Sequence, residues 1–167
     1  ATMNLLTKRD GLVLGVCNGF QALIKLGLVP YGEIRDIASD SPTLTFNTIG
    51  RHISCVAYTR IASVLSPWLA GTDVGDVHAI PISHGEGRFY ASQKVIDKLV
   101  SSGQVATQYS DMMGNSSYTS KANPNGSVFA IEGITSPDGR VLGKMGHSER
   151  VGNCVGVNIY GKKEQSI

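Results

Sequence analysis

The sequence lacks the features that assign many chains to a broad class at once. Its 15 Lys and Arg side chains nearly balance 13 Asp and Glu side chains, for a net charge of +2, and they form no basic patch. Nothing in this charge pattern favours a nucleic-acid partner. No apolar run approaches the roughly 20 residues that a membrane-spanning helix needs. We therefore expect a protein that binds neither nucleic acid nor membranes.

Cysteine is also scarce. The three cysteines, Cys17, Cys55 and Cys154, are odd in number and show none of the short spacings of zinc ligands. This pattern disfavours a disulfide scaffold and predicts no metal site, and it is typical of proteins from the reducing cytosol. We therefore expect a cytoplasmic location and isolated thiols with individual roles.

Glycine, in contrast, is abundant. There are 20 glycines in 167 residues, about 12% against a usual ~7%, and many lie beside polar residues between apolar runs. Such segments are typical of loops that bring backbone close to a ligand. With 41% hydrophobic and 17% charged residues, the chain is expected to form a single globular domain over residues 1–167.

Hydrophobic periodicity predicts strands that alternate with helices, which indicates an α/β layered fold. The runs 44–49 and 53–61 are expected to pair through a turn at Gly50. The remaining predicted elements are strands at 12–16, 77–82, 105–109, 128–134 and 140–145, and helices at 18–27 and 92–101.

The stretch Gly15-Val16-Cys17-Asn18-Gly19 has the form G-x-C-x-G, between a strand-like run and a helical one. This pattern is the cysteine version of the nucleophile elbow, a sharp strand-to-helix turn that exposes one side chain. Glycine on both sides is expected to relieve crowding at the turn. The helix start favours the thiolate form of the cysteine. The alternative is that Cys17 is a small buried hydrophobic residue, as free cysteines usually are.

A catalytic role for Cys17 requires a base and a group that orients it. His52 and His78 lie in or beside strand runs without acidic partners, which favours a structural or surface role. His147 and Glu149 form an H-x-E pair at the end of a later strand. In extended backbone, residues i and i+2 point the same way, so the carboxylate can hold Nδ1 and leave Nε2 as the acceptor for a thiol.

Taken together, these residues resemble the class I glutamine amidotransferase family. The segments "GVCNGFQ", "PISHGEGRFYAS" and "NPNGSVFAIEGITSPDGRVLGKMGHSER" are most similar to the glutaminase domain or subunit of phosphoribosylformylglycinamidine synthases. The likeness extends from about residue 11 to residue 158. It implies a three-layer, flavodoxin-like α/β fold and hydrolysis of glutamine to glutamate and ammonia.

The resemblance also implies residue roles and partners. Cys17 would be the nucleophile, His147 the general base and acid, and Glu149 the group that orients the histidine. The residues expected to contact the substrate L-glutamine are Asn18, Gln21, His84 and Gly85. The ammonia would pass to a synthetase domain of the same polypeptide or complex, and that domain, outside this chain, would bind ATP and magnesium. The loop 123–127 is expected to be a structural turn.

Two departures from the family pattern stand out. Many relatives have proline on both sides of the histidine, where this chain has Gly146 and Ser148. The family also has an earlier strand and glycine-rich loop that donate one oxyanion-hole N–H, and they have no counterpart before the elbow. We therefore expect an N-terminally truncated form of the fold, a fragment without its first βα units, in which Asn18 donates the other N–H.

Two other functions stay open at this level. One is a glutaminase that serves another synthetase, or a related cysteine hydrolase. The other is an inactive module that keeps the fold. An assay of which ammonia acceptor the full enzyme uses would distinguish the first function. The complete set of Cys17, His147 and Glu149 argues against the second.

Overall fold

The computed structural model describes residues 2–116 and 118–150. The helices in this part of the chain are α1 (Thr2–Lys8), α2 (Asn18–Lys25), the short α3 (Leu28–Tyr31) and α4 (Gln93–Ser101). The strands are β1 (Val13–Val16), β2 (Thr43–Thr45), β3 (Ile53–Ile61), β4 (Val77–His84), β5 (Arg88–Tyr90), β6 (Val105–Ser110), β7 (Ile131–Thr135) and β8 (Val141–Lys144).

Six of the described strands form one mixed sheet in the order β1-β8-β7-β6-β3-β4. Strands β1 and β8 run parallel, with Val13 opposite Val141, and every other neighbouring pair is antiparallel. Strands β2 and β5 form a separate two-stranded ribbon. The parallel pair brings the carboxyl ends of β1 and β8 to the same edge, so the residues that follow each strand lie close together.

The main core lies between the helices and the sheet, because α2 and α4 each present one apolar face. Phe20 of α2 is fully buried against β8, where a Cβ on Gly143 would lie 2.2 Å from its ring. Only glycine permits that approach. Other buried members of this core are Leu23, Ile24, Ile96, Leu99, Ile131, Ile134 and Val141.

Most of the predicted elements are present, with boundaries shifted by a few residues. Helix α2 ends at Lys25, and Gly27 follows in the left-handed conformation, as expected for a helix stop. In α4, Ile96 and Leu99 are buried, whereas Val100, expected on the apolar face, is 47% exposed. The run expected as a strand from 128 begins as a single 3₁₀ turn at Val128–Ala130. The helix α1 was not predicted.

The predicted hairpin between 44–49 and 53–61 is wrong. Strand β2 pairs with β5, where Leu44 lies opposite the buried Phe89. Strand β3 has no free edge for it, because β4 and β6 occupy its two sides. The chain between them is held by Asn47, whose N–H donates to the Gly85 carbonyl. Long-range pairing therefore overrides the local turn signal at Gly50.

Candidate active site

Cys17 lies at the sharp junction between β1 and α2. Its backbone angles, φ 52° and ψ −108°, fall where non-glycine residues are rare. The junction is anchored on both sides, because the Cys17 N–H donates to Lys144 O at 2.9 Å and the Gln21 N–H donates to Cys17 O at 3.1 Å. Strain of this kind persists only when the surroundings enforce it, and it matches the geometry of a nucleophile elbow.

The two glycines of the elbow are not equivalent. A Cβ on Gly15 would lie 2.4 Å from Leu23 Cδ1 and 2.7 Å from the Gly19 carbonyl carbon, so a side chain there would separate β1 from α2. A Cβ on Gly19 would meet nothing within 4 Å. The expectation that both glycines relieve crowding is therefore correct for Gly15 and wrong for Gly19.

The elbow opens into a cleft of about 720 Å³, a size that suits a small-molecule substrate. Four chain segments supply its walls: the elbow and the start of α2, the residue before β3, the end of β4 with the following loop, and the turn after β8. The lining residues are Val16, Cys17, Asn18, Gln21, His52, Ser83, His84, Gly85, Glu86, His147 and Arg150. The cleft thus includes six of the seven residues that the sequence nominates, and Glu149 contacts it through His147.

His147 and Glu149 are joined directly. His147 Nδ1 lies 2.6 Å from Glu149 Oε1, and the imidazole side chain is 12% exposed while the carboxylate is 55% exposed. Partial burial raises the pKa of Glu149. Hydrogen bonds from His147 and the backbone, together with the charges of His147 and Arg150, lower the pKa by more than burial raises it, so the net pKa is below its ordinary value. The carboxylate therefore stays charged beside the ring.

The backbone that makes this contact differs from the expected strand. Strand β8 ends at Lys144, and His147 to Arg150 form a turn in which Arg150 N–H donates to His147 O at 3.2 Å. The H-x-E pair meets within this turn. Because only one residue separates His147 from Glu149, their side chains can make contact in a turn as well as in extended backbone.

Cys17 and His147 face one cleft without a hydrogen bond between them. The thiol donates to the Ser83 carbonyl at 3.7 Å, and Arg150 Nη2 lies 3.4 Å from His147 Nε2, the atom expected to face the thiol. The predicted approach of the sulfur to Nε2 stays a prediction, because the structure shows only that both residues line one cleft. Catalytic contacts are often loose without substrate and tighten when it binds.

His84 is 4% exposed, and its ring stacks on the backbone of Gly87. Nδ1 lies 3.1 Å from Asn47 Oδ1, and because the Asn47 amide nitrogen donates to the Arg51 and His84 carbonyls, Oδ1 acts as the acceptor. Nδ1 therefore carries the proton, and Nε2 is a buried acceptor without a partner among the described residues. Burial, with smaller effects of neighbouring charges, lowers the pKa of His84 to about 4, so the ring is neutral near pH 7.

The loop after β4 is fixed from two directions. Asn47 binds the main chain of its first residue, as described above, and Asn125 Nδ2 donates to the Gly87 carbonyl at 2.7 Å. Arg88 Nε donates to Gly126 O, and Ser127 Oγ accepts from Phe89 N–H. The loop 123–127 is thus a structural support for the cleft wall, in line with its expected role as a turn.

Gln21 connects α2 to the same loop. Its side-chain amide donates to the Glu86 carbonyl at 2.7 Å. This hydrogen bond joins the start of the elbow helix to the loop after β4 at one border of the cleft.

Several cleft residues escaped the sequence-based reasoning. His52, expected to have a structural or surface role, has an exposed side chain that lines the cleft, and its Nε2 lies 3.0 Å from Ser83 Oγ. Its position follows from the register of β3 on β4, where Ile53 lies opposite His84, and no local pattern reports a register. Cys55 lies outside the cleft lining, and burial raises the pKa of its thiol. The expectation that Cys154 is an isolated thiol concerns a residue outside the described part of the chain.

Residues 2–116 and 118–150 hold neither a candidate metal cluster nor a membrane-spanning helix. Those residues contain no group of three or more His, Cys, Asp or Glu side chains that could hold a metal ion. Within the same ranges, no helix is long and apolar enough to cross a membrane.

Comparison with known proteins assigns the fold and the family. The model of the CobB/CobQ-like glutamine amidotransferase domain matches residues 1–167. The chain belongs to this family. Its elbow cysteine, His-Glu pair and cleft therefore lie in a glutamine amidotransferase domain.

Relatives of this chain include the PurQ subunit of phosphoribosylformylglycinamidine synthase from several organisms. The chain is 43% identical over 141 residues to the phosphoribosylformylglycinamidine synthase subunit PurQ of Chlorobaculum parvum, covering 83% of this chain and 50% of the relative. It is 39% identical over 140 residues to the same subunit of Salinibacter ruber, covering 84% and 54%. The chain thus spans about half the length of these relatives.

A solved structure confirms the predicted class of fold. The structure of PurLQS from Thermotoga maritima matches with a TM-score of 0.64 and 26% identity, over 89% of this chain and 56% of that chain. The mixed α/β arrangement is accordingly of the class I glutamine amidotransferase type.

Proposed function

We propose that this chain carries the glutaminase site of a phosphoribosylformylglycinamidine synthase and supplies ammonia to a synthetase partner. The observation that carries the proposal is the shared cleft, in which Cys17 stands on a strained elbow and His147 is held by Glu149. The names of the PurQ relatives support the choice of enzyme.

The first half of the reaction forms a thioester. The Cys17 thiolate attacks the side-chain amide carbon of glutamine, and the resulting oxyanion takes a hydrogen bond from the Asn18 N–H. As the C–N bond breaks, His147 gives its proton to the departing nitrogen, which leaves as ammonia. Glu149 stabilises the positive charge that the ring carries before this transfer.

The second half releases glutamate. His147 takes a proton from water, and the hydroxide attacks the thioester carbon. The C–S bond then breaks, the acid leaves, and the thiolate is regenerated. For both halves, Arg150 must leave Nε2 of His147, so we infer that glutamine binding shifts the Arg150 side chain away from the ring.

Glutamine would bind between the elbow helix and the loop after β4. Gln21 and Gly85 face the cleft from these two walls, and His84 lines the same cleft with a neutral ring whose Nε2 is buried. Released ammonia would pass to the synthetase, which holds ATP and magnesium in its own site.

An electrophilic glutamine analogue tests the proposal directly. We expect the analogue to add one glutamyl-like adduct to Cys17, found by peptide mapping, because this thiol alone of the two described ones faces the cleft. Cys55→Ala is the matched control and should be labelled like the unaltered chain, while Cys17→Ala should lose the adduct. Labelling of Cys55 with Cys17 untouched would refute the assigned nucleophile.

A further inference from the structure

A buried carboxylate lies behind the histidine turn. Glu132 stands in the middle of β7 with 0% exposure, between the buried apolar residues Ile131 and Ile134. A carboxyl group in such a place is costly unless its oxygens are hydrogen-bonded. Its partners therefore indicate what it is there to hold.

Each oxygen of Glu132 has a defined donor. Oε2 accepts from the Thr107 hydroxyl on the neighbouring strand β6. Oε1 accepts from the backbone N–H of Gly146 at 2.5 Å. Gly146 directly precedes His147, so the carboxylate is linked to the catalytic turn through one peptide unit.

The turn is tethered at three consecutive N–H groups. Met145 N–H donates to the Glu132 carbonyl at 3.2 Å, Gly146 N–H to the Glu132 side chain, and His147 N–H to Pro81 O at 2.8 Å. Two of the three acceptors thus belong to Glu132. The third belongs to β4, whose end also lines the cleft.

Gly146 makes this tether necessary. A Cβ at this position would lie 2.6 Å from Ile80 Cγ2 and 2.9 Å from Glu132 Oε1, so only glycine fits. Glycine has the widest backbone freedom of any residue. Without a fixed acceptor for the Gly146 N–H, the Met145–Gly146 peptide could rotate and shift the backbone that carries the His147 imidazole.

We infer that Glu132 is a positioning residue that acts on His147 through the Gly146 N–H. The inference rests on the proposed role of His147 as base. It assigns to Glu132 no contact with the substrate. Its effect is to hold the imidazole where Nε2 can exchange a proton with the thiol and the leaving nitrogen.

The test compares three variants of the full chain in complex with its synthetase. Glu132→Gln keeps an amide oxygen for the Gly146 N–H and should retain kcat for glutamine hydrolysis within about 3-fold. Glu132→Ala removes the acceptor and should lower kcat about 10- to 100-fold, with KM changed less than about 3-fold, because a misplaced group costs on this scale. Thr107→Val removes the other contact and should behave like Glu132→Gln.

A second measurement does not depend on activity. In chain labelled with ¹⁵N-histidine, the His147 ring should give one sharp set of signals in the unaltered chain, in Glu132→Gln and in Thr107→Val. Glu132→Ala should broaden or split that set, whereas any shift of the His84 signals that follows from loss of the Glu132 charge should be equal in Glu132→Ala and Glu132→Gln. Thermal unfolding of each variant shows what fraction is folded.

The outcomes separate the two claims. If folded Glu132→Ala leaves the His147 signals unchanged, or if Thr107→Val reduces kcat as much as Glu132→Ala does, the positioning role is overturned. If Cys17→Ala still hydrolyses glutamine, the proposed function fails, and the ring signals still report on the tether.

Discussion

Single residues in this cleft owe their chemical state to neighbours far away in the chain. His84 has a defined tautomer because Asn47, 37 positions earlier, offers it an amide oxygen. Its neutral state has a mainly solvation-based cause, since burial disfavours the imidazolium. A pH titration of stability tests the second of these effects.

We predict that His84 makes the fold sensitive to acid. Its folded pKa of about 4 lies below the ~6.5 of an unfolded histidine, so between these values only the unfolded chain binds the proton. This stability is complete above pH ~6.5 and is lost as the pH falls toward 4. Urea unfolding gives the difference in unfolding free energy between the unaltered chain and His84→Asn at each pH. We expect this difference to be about 2–3 kcal/mol smaller at pH 4.5 than at pH 7.5.

The other titrating groups provide the background for this comparison. Glu149 also has a lowered pKa and loses stabilising contacts in acid, but it is present in both proteins and its effect cancels in the difference. Curves that stay parallel from pH 7.5 to 4.5 would show that His84 titrates normally in the folded state.

At the scale of single residues, the sequence was sufficient to predict the roles of residues whose partners lie close to them in the chain. Cys17 is marked by its own flanking residues, and Glu149 lies two positions from His147, so their association needs no knowledge of the fold. Glu132 and Asn47 gave no such signal. Their roles depend on strand neighbours and loop contacts that only the three-dimensional arrangement brings together.

Among the elements, the elbow offers a matched pair of substitutions. Gly15→Ala should lower the free energy of unfolding by about 1–3 kcal/mol, since its methyl group would overlap Leu23 and the Gly19 backbone. Gly19→Ala should be neutral or stabilise by up to about 1 kcal/mol, because it gains helix propensity in open space. Chemical denaturation measures both, and equal losses would mean that the two glycines share one constraint.

The support of the loop after β4 gives a second prediction for the elements. Asn125→Ala removes the donor to Gly87 O and leaves buried groups unpaired, which should cost about 1–3 kcal/mol of stability. The loosened loop should raise KM for glutamine more than it lowers kcat. Asn115→Ala, in an exposed turn with Asp111, is the control and should stay within about 0.5 kcal/mol.

That prediction would be contradicted if Asn125→Ala, when folded, bound glutamine as tightly as the unaltered chain.

The same region shows why element pairing resists prediction. The strand character of Leu44 and its neighbours was recognisable, yet its partner, β5, lies more than 40 positions away in the chain. Hydrophobic periodicity reports which residues are buried and leaves open which strand covers them.

For the whole molecule, the parallel pair of β1 and β8 explains why the two halves of the site meet. Residues that follow these strands, Cys17 and His147, are 130 positions apart in the chain and line one cleft. The α/β class could be predicted because strands alternate with helices. The strand order could not, because antiparallel neighbours such as β3 and β6 follow no local rule.

The central claim is that Cys17 serves ammonia release alone. The direct measurement is phosphoribosylformylglycinamidine synthesis by the complex of this chain with its synthetase, with glutamine or with ammonium chloride as nitrogen source. Cys17→Ala should reduce the glutamine-dependent rate at least about 10³-fold, since no thioester can form, while the ammonia-dependent rate stays within about 2-fold. Equal loss of both rates, or survival of the glutamine-dependent rate, would contradict the account.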